Sequence, residues 1–135
     1  MQDIVIYNIK EYLFIIYIMT DKFTVRFCKR VNGEGLFTNT FIKKYNIVRL
    51  LEGPIKDVPD KYSIEIGTNY HITDKLGVYM NHSFQPSVFI NGVEVVALKD
   101  INIGEEICFN YNKNETSMAC PFETPNGIVN GYDSK

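Results

Sequence analysis

The stretches Asn81-His82-Ser83-Phe84-Gln85-Pro86-Ser87 and Gly104-Glu105-Glu106-Ile107-Cys108-Phe109-Asn110-Tyr111 decide the fold of this 135-residue chain. The first is a polar turn between apolar runs, and its amide, imidazole and hydroxyl groups can bind the polar atoms of a ligand. The second is a predicted strand in which Phe109 and Tyr111 face the same side. Taken separately, each stretch is also compatible with a purely structural role, because most turn histidines and buried tyrosines only satisfy local hydrogen bonds.

The composition indicates one compact globular domain. Hydrophobic residues make up 45% of the chain and charged residues 22%, which excludes a disordered chain and allows one modest core. The net charge is −2, and lysines and arginines form no block, so direct nucleic-acid binding is not expected. The three cysteines, Cys28, Cys108 and Cys120, are widely spaced. They predict neither a disulfide framework nor a zinc site, and they favour an intracellular location in the cytoplasm or nucleus.

Residues 1–19 are predicted to be an N-terminal extension, and residues 20–135 the folded domain. Asn8, Lys10 and Glu11 interrupt the apolar runs of the extension. These runs are too short to span a bilayer, so no membrane association is expected. Two interpretations of the extension stay open. It is an added strand or short helix, or it is an over-extended reading of the gene, since Met19 offers a second start.

From residue 20 onward, frequent Val, Ile, Tyr and Phe with scarce Ala predict a mainly β domain with few, short helices. Residues 54–61 contain two prolines and several charges, which predicts a loop. Strands are predicted at residues 23–28, 36–38, 45–51 and 62–66.

Two connections are predicted in the C-terminal half. Asn91-Gly92 lies between β-branched runs and predicts a type I′ hairpin turn. Residues 100–104 are predicted to make a second connection, which would give a three-strand meander over residues 87–110. After Asn112 the chain is polar and rich in turn residues, which predicts irregular structure.

Gly33-Glu34-Gly35 is predicted to form a tight turn where backbone can approach a ligand, because neither glycine carries a Cβ atom. An ordinary β-turn is the alternative. The pattern is not a dinucleotide fingerprint, since it lacks the third glycine and the helix that should follow.

Three segments, taken in order, resemble the SET domain, the fold of most protein-lysine methyltransferases. They are Gly33-x-Gly35-Leu36-Phe37-Thr38, Asn81-His82-Ser83-x-x-Pro86 and Gly104-Glu105-Glu106-Ile107-x-Phe109-x-Tyr111. The resemblance covers most of the chain, between Phe23 and Tyr132. It implies a mainly β, β-clip-like fold with small sheets around a pseudoknot core, in which the Asn81–Ser83 segment threads beneath the strand with Tyr111.

The resemblance also implies S-adenosylmethionine-dependent methylation of lysine side chains in a protein or peptide substrate, histones being the best-known case. Tyr111 would be the catalytic residue, at the point where the substrate channel meets the cofactor, and Phe109 would line that channel. The cofactor-binding residues that the resemblance implies are Gly33, Glu34, Gly35, Asn81, His82, Tyr111 and Phe122.

The chain departs from the common family pattern at Phe84, at Ser87 and at Asn110, which stands where Asp is frequent before the tyrosine. Phe84 stands where Cys is common and Ser87 where Asn is common, so that Phe84 would fill core space and the lost amide at Ser87 would loosen the site. Only Cys120 represents the zinc-binding cysteine triplet found in the tail of many relatives, so no metal is expected. These departures leave an alternative function, a non-catalytic SET-fold module that binds a protein or peptide.

Overall fold

The structure, a computed structural model, describes residues 18–19 and 22–132. The first seventeen residues of the predicted N-terminal extension therefore lie outside the described residues. A 3₁₀ turn covers Gly77–Tyr79, and the helix α1 covers Tyr111–Asn114. The strands are β1 (Ile18–Met19), β2 (Phe23–Cys28), β3 (Gly33–Thr38), β4 (Ile47–Leu50), β5 (Ile55–Lys56), β6 (Ile64–Gly67), β7 (Tyr70–Ile72), β8 (Asn81–His82), β9 (Val88–Asn91), β10 (Glu94–Ala97), β11 (Glu106–Phe109), β12 (Phe122–Thr124) and β13 (Gly127–Val129).

The described strands form small sheets, as predicted. The largest has the order β1-β2-β3-β11-β8, and the others are β4-β10-β9, β5-β7-β6 and β12-β13. Strand β8 runs parallel to β11, with Asn81 opposite Cys108 and His82 opposite Phe109. This pairing joins the two stretches that decide the fold. The prediction of a mainly β fold with small sheets and few, short helices is confirmed.

The predicted meander over residues 87–110 is wrong. Strand β11 pairs with β3 and β8 and not with β10. Between β10 and β11, the fully buried Ile101 forms a bridge with Ile42. Burial of Ile101 in the core therefore carries the connection away from the β9–β10 hairpin and into the neighbouring sheet.

The predicted hairpin at residues 88–97 is present, but its turn type is wrong. Asn91 pairs with Glu94, so that the turn consists of Gly92 and Val93. Only Gly92 has a positive φ, of 61°, whereas a type I′ turn requires two. A β-branched residue such as Val93 is unfavourable in the left-handed region, which explains why the second positive φ does not occur.

Two other local predictions are wrong as well. The first turn is formed by residues 29–32, where Asn32 has a φ of 52°, and Gly33 begins strand β3. Asn tolerates the left-handed conformation, so the chain reverses at Asn32 and the glycines after it pair with β2. The tail after Asn112 is not irregular throughout, because residues 122–129 form the β12–β13 hairpin, in which Val129 is fully buried.

A buried ion pair fixes the segment that leads into β8. The Asp74 carboxylate is fully buried and accepts hydrogen bonds from the Arg49 guanidinium at 2.7 and 2.9 Å and from the Gly77 backbone N–H at 2.6 Å. Burial alone would raise the pKa of Asp74, but the Arg49 and backbone hydrogen bonds outweigh it and lower that pKa. Among the described residues, no helix is long and apolar enough to cross a membrane.

Candidate functional site

The two-residue strand β8 is held in place by an ion pair between the turn at residues 29–32 and strand β11. Arg30 binds the Glu106 carboxylate with both Nε (3.1 Å to Oε1) and Nη2 (3.0 Å to Oε2). The Nη1 group of Arg30 also donates to the His82 carbonyl at 2.9 Å. The Asn81 amide donates to Glu106 Oε2 at 3.1 Å and to the Glu34 carbonyl at 2.9 Å. Arg30 and Glu106 therefore fix both residues of β8.

His82 carries a buried nitrogen without a hydrogen-bond partner. Its side chain is 6% exposed, and its Nδ1 accepts the Tyr111 backbone N–H at 3.0 Å. Burial, and secondarily the Arg30 charge, lowers the pKa of His82 to about 4. The ring is thus neutral at pH 7, and its proton is assigned to Nε2 because Nδ1 is the acceptor. No described residue accepts from Nε2, and this nitrogen is itself buried from solvent, so its N–H is unsatisfied within the described residues.

Gly35 allows β3 to approach β8 closely. A Cβ atom at Gly35 would lie 3.0 Å from both the Asn81 amide nitrogen and the Cys28 Cβ atom. At Gly33 the nearest atom would be 3.9 Å away. The close neighbours of Gly35 are therefore the side chains of Asn81 and Cys28, and only this glycine of the pair is required by packing.

Tyr111 starts helix α1 and does not end a strand as predicted. Strand β11 stops at Phe109, and the Asn110 side chain caps the helix by accepting the Asn112 backbone N–H at 3.0 Å. The Tyr111 hydroxyl donates to the Met80 carbonyl at 2.5 Å. The rings of Phe109 and Tyr111 are in contact, 4.7 Å between centroids, although the two residues do not share a strand. Burial, followed by the charges of Glu115 and Glu106, raises the pKa of Tyr111.

Two cavities meet at Tyr111. The first, here called the cleft, has a volume of about 1190 Å³ and is lined by Arg30, Val31, Asn81, His82, Phe84 and Phe122, among others. The second, here called the narrow cavity, has a volume of about 50 Å³ and is lined by Ile64, Met80, Phe109 and Glu115, among others. The residues that line both cavities are Lys61, Tyr62, Val78, Tyr111, Met118 and Cys120.

Aromatic rings surround His82 at the cleft. Phe84 contacts the imidazole edge-on at 4.4 Å between centroids, and Phe122 lies 6.2 Å from it. Phe84 is 37% exposed, so the expectation that it fills core space is wrong. Phe84 lines the cleft two residues after the end of β8, and there its ring contacts His82 edge-on and lies near the tail hairpin.

Ser87 ties the motif to β11, contrary to the expectation that losing the amide would loosen the site. The side chain is 3% exposed, and its hydroxyl donates to the Glu106 carbonyl at 2.8 Å. The same hydroxyl accepts the Cys108 backbone N–H at 3.0 Å. Serine therefore satisfies buried backbone groups that face this position.

The structure brings together most of the predicted site residues. Asn81, His82, Tyr111 and Phe122 line the cleft, and Phe109 with Tyr111 lines the narrow cavity. The segment Gly33–Gly35 lies behind Asn81 in β3 and is not among the residues that line either cavity.

Sequence reasoning missed two residues of the site, Arg30 and Glu106. Arg30 lies in the turn after β2, and Glu106 is the first residue of β11, ahead of three buried residues, so both look like ordinary surface charges. The one available signal was the acidic residue within the Gly104–Tyr111 segment, and it does not reveal its partner 76 residues away.

Comparisons with known proteins agree with this arrangement. A family model described as the SET domain matches residues 8–112, which include every strand from β1 to β11. The crystal structure of a Plasmodium falciparum “putative histone methyltransferase” matches with a TM-score of 0.54 and 22% identity, over 67% of this chain and 96% of that one. This likeness shows a common fold. No curated protein sequence matches significantly. The predicted domain boundary at residue 20 stays a prediction. The chain belongs to the SET-domain family.

Proposed function

We propose that this protein is an S-adenosylmethionine-dependent protein-lysine methyltransferase. The cleft would bind the cofactor, and the narrow cavity would admit the side chain of the target lysine. The observation that carries the proposal is the position of Tyr111, which lines both cavities at the place where they meet. A bisubstrate transfer needs such a meeting point, because the two reacting groups must enter from separate sides.

The residues of the cleft fit a nucleoside-containing cofactor. The buried Nε2–H of His82 has no described partner, and an acceptor atom of the bound cofactor would satisfy it once the surrounding side chains shift to expose that nitrogen. Phe84 and Phe122 offer aromatic surfaces near His82 for an adenine ring. The volume of the cleft, about 1190 Å³, exceeds the roughly 300–1,000 Å³ of typical ligand sites. When bound, S-adenosylmethionine supplies a methyl group activated by a sulfonium centre.

The narrow cavity is suited to a lysine side chain. Its walls include the buried side chains of Ile64, Met80 and Phe109. These apolar walls disfavour the ammonium form of an entering lysine, whereas the carboxyl groups of Asp60 and Glu115 in the same lining favour it. The reactive neutral amine then comes from the substrate, so that the protein supplies no nucleophile.

Tyr111 would orient the reacting groups. Its raised pKa keeps the phenol protonated at neutral pH, which argues against a general-base role. Its hydroxyl is fixed on the Met80 carbonyl, so the ring is held at the boundary between the cavities. Holding two reactants in alignment contributes roughly 7–11 kcal/mol at best, and this is the main contribution we assign to the site.

The proposal extends to an intracellular protein substrate, in the cytoplasm or nucleus, with histones as the first candidates. A labelled-methyl screen over histones and whole-lysate proteins tests activity and substrate together. Wild type should transfer label to at least one protein, and Tyr111→Phe should lose most of that transfer. Tyr70→Phe is the matched control, because Tyr70 is exposed and lines neither cavity. Absence of transfer to every protein, or full transfer by Tyr111→Phe, would contradict the proposal.

The alternative is a SET-fold module that binds a peptide without catalysis. It is favoured by Phe84, which puts a large ring in the cleft where the family commonly has a smaller residue. Calorimetric titration with S-adenosylmethionine separates the two. Micromolar binding excludes the version in which Phe84 closes the cofactor site, whereas no binding together with no transfer favours the module.

A further inference from the structure

Glu65, His71 and Glu115 bring three potential metal ligands together beside the narrow cavity. Glu65 and His71 are direct partners across the β6–β7 pair, which puts their side chains on one face of the sheet. Glu115 follows the last residue of α1. One ligand atom from each residue lies within 4.8 Å of the other two.

The imidazole of His71 gives an independent sign of a missing partner. The residue is 6% exposed, and its Nδ1 is buried without a hydrogen-bond partner among the described residues. A buried nitrogen in this state is unfavourable unless something binds it. Since Nδ1 is a lone-pair donor when the proton is on Nε2, a metal ion is one group that satisfies it.

The two carboxylates are positioned by hydrogen bonds and lack a cation. Thr116 donates to Glu65 through its backbone N–H (2.9 Å) and its hydroxyl (2.7 Å). The Glu65 backbone N–H and the Asn114 amide donate to Oε2 of Glu115, whereas no described residue donates to Oε1. Within residues 22–132, no lysine or arginine forms an ion pair with either carboxylate.

We propose that Glu65, His71 and Glu115 bind a divalent transition-metal ion of the Zn²⁺ class. One imidazole nitrogen and two carboxylate oxygens are ligands that Zn²⁺ accepts, whereas Mg²⁺ and Ca²⁺ prefer oxygen alone. Ligands at about 2.1 Å from a tetrahedral ion are roughly 3.4 Å apart, so small side-chain rotations would close the site around the ion. Water would take the fourth position.

The ion would link the β6–β7 pair to the end of α1. Ile64 precedes Glu65, and both Ile64 and Glu115 line the narrow cavity, so metal binding would fix one wall of that cavity. The inference does not depend on methyl transfer. Our expectation of no metal came from counting cysteines, and this site uses none.

Calorimetric titration of the chelator-treated full-length protein with Zn²⁺ tests the site. Wild type should bind one ion per chain and gain thermal stability. Glu115→Gln and His71→Ala should each weaken binding by about 100-fold, at least as much as loss of an outer-shell partner. Cys120→Ser and Glu123→Gln are matched controls, since both side chains are exposed and lie outside the site, and they should bind as wild type does.

Glu115→Gln is chosen because it should fold normally, so that weakened metal binding by this variant cannot be attributed to misfolding. It removes a buried charge and keeps an oxygen to accept from the Glu65 backbone N–H, so without metal it should unfold at the wild-type temperature or higher. With Zn²⁺ only wild type and the controls should be stabilised. Absence of saturable binding by wild type, unchanged binding in both site variants, or loss of binding in Cys120→Ser would each overturn the proposal. None of these results bears on the methyl-transfer screen, which is read out separately.

Discussion

Replacing Ser87 with alanine should destabilise the protein by about 2–4 kcal/mol. The Ser87 hydroxyl accepts the Cys108 backbone N–H at 3.0 Å and donates to the Glu106 carbonyl at 2.8 Å. Alanine leaves the Cys108 N–H buried and unpaired, which costs about 1–3 kcal/mol, and it also loses a hydrogen bond worth about 1 kcal/mol. Against a typical total stability of roughly 5–15 kcal/mol, this loss is large but compatible with folding.

Urea denaturation followed by circular dichroism measures the effect. With an m-value of about 2 kcal/mol/M, in the middle of the usual range, the midpoint of Ser87→Ala should fall by roughly 1–2 M. Ser83→Ala is the matched control, because the Ser83 hydroxyl accepts the Gln85 N–H in an exposed turn where water can replace it. The control should shift stability by no more than about 0.5 kcal/mol. If the two variants are equally stable, Ser87 does not fix the motif to β11, and our account of this departure fails.

Three further predictions concern the site. Tyr111→Phe should lower the rate of methyl transfer in an activity assay by about 100-fold, the size of effect that misalignment of the reactants produces. Its folding free energy, measured by urea denaturation, should change by only about 1 kcal/mol. The pKa of His82 falls from 6.5 to about 4 on folding. The free energy of unfolding should therefore keep its full His82 contribution above pH 6.5, where the ring is neutral in both states, and should lose it as the pH falls toward 4. His82→Asn keeps an acceptor for the helix N–H and should remove up to about 3 kcal/mol of that pH dependence; an unchanged pH–stability curve would contradict the assignment. Gly35→Ala should lower the free energy of unfolding by about 1–3 kcal/mol, because its methyl group would overpack against Asn81, 3.0 Å away. Gly33→Ala should be nearly neutral. Thermal denaturation compares the two variants, and equal effects would refute the packing argument.

Local strand patterns were predictable from the sequence. Alternation over residues 23–28 gave the bounds of β2, and the hairpin at residues 88–97 followed from β-branched runs around a glycine. Both depend on neighbouring residues, for which side-chain periodicity carries the information. The start of α1 carried a signal that was available but unused, since Asn110 is a favoured N-cap residue.

Long-range pairings were not predictable from these patterns. Strand β8 has two residues, too few for any period, and its parallel partner β11 is more than twenty residues away. Its place was implied only by the family resemblance. The ion pair between Arg30 and Glu106 and the facing side chains of Glu65 and His71 depend on register between strands, which a single sequence does not encode locally.

Ser87 and Phe84, two departures from the common motif, have different structural consequences. One affects the stability of the motif and the other affects which ligand can bind. Ser87 is enclosed by backbone groups of β11 and acts on the stability of the motif. Phe84 is in the cleft, and a Cβ atom on Gly127 of the tail hairpin would lie 3.5 Å from its ring. The family match ends at residue 112, before this hairpin begins. Because Phe84 and Phe122 both line the cleft near His82, where the shared motif meets the tail, we expect these two rings, and not Ser87, to decide which ligand the cleft accepts.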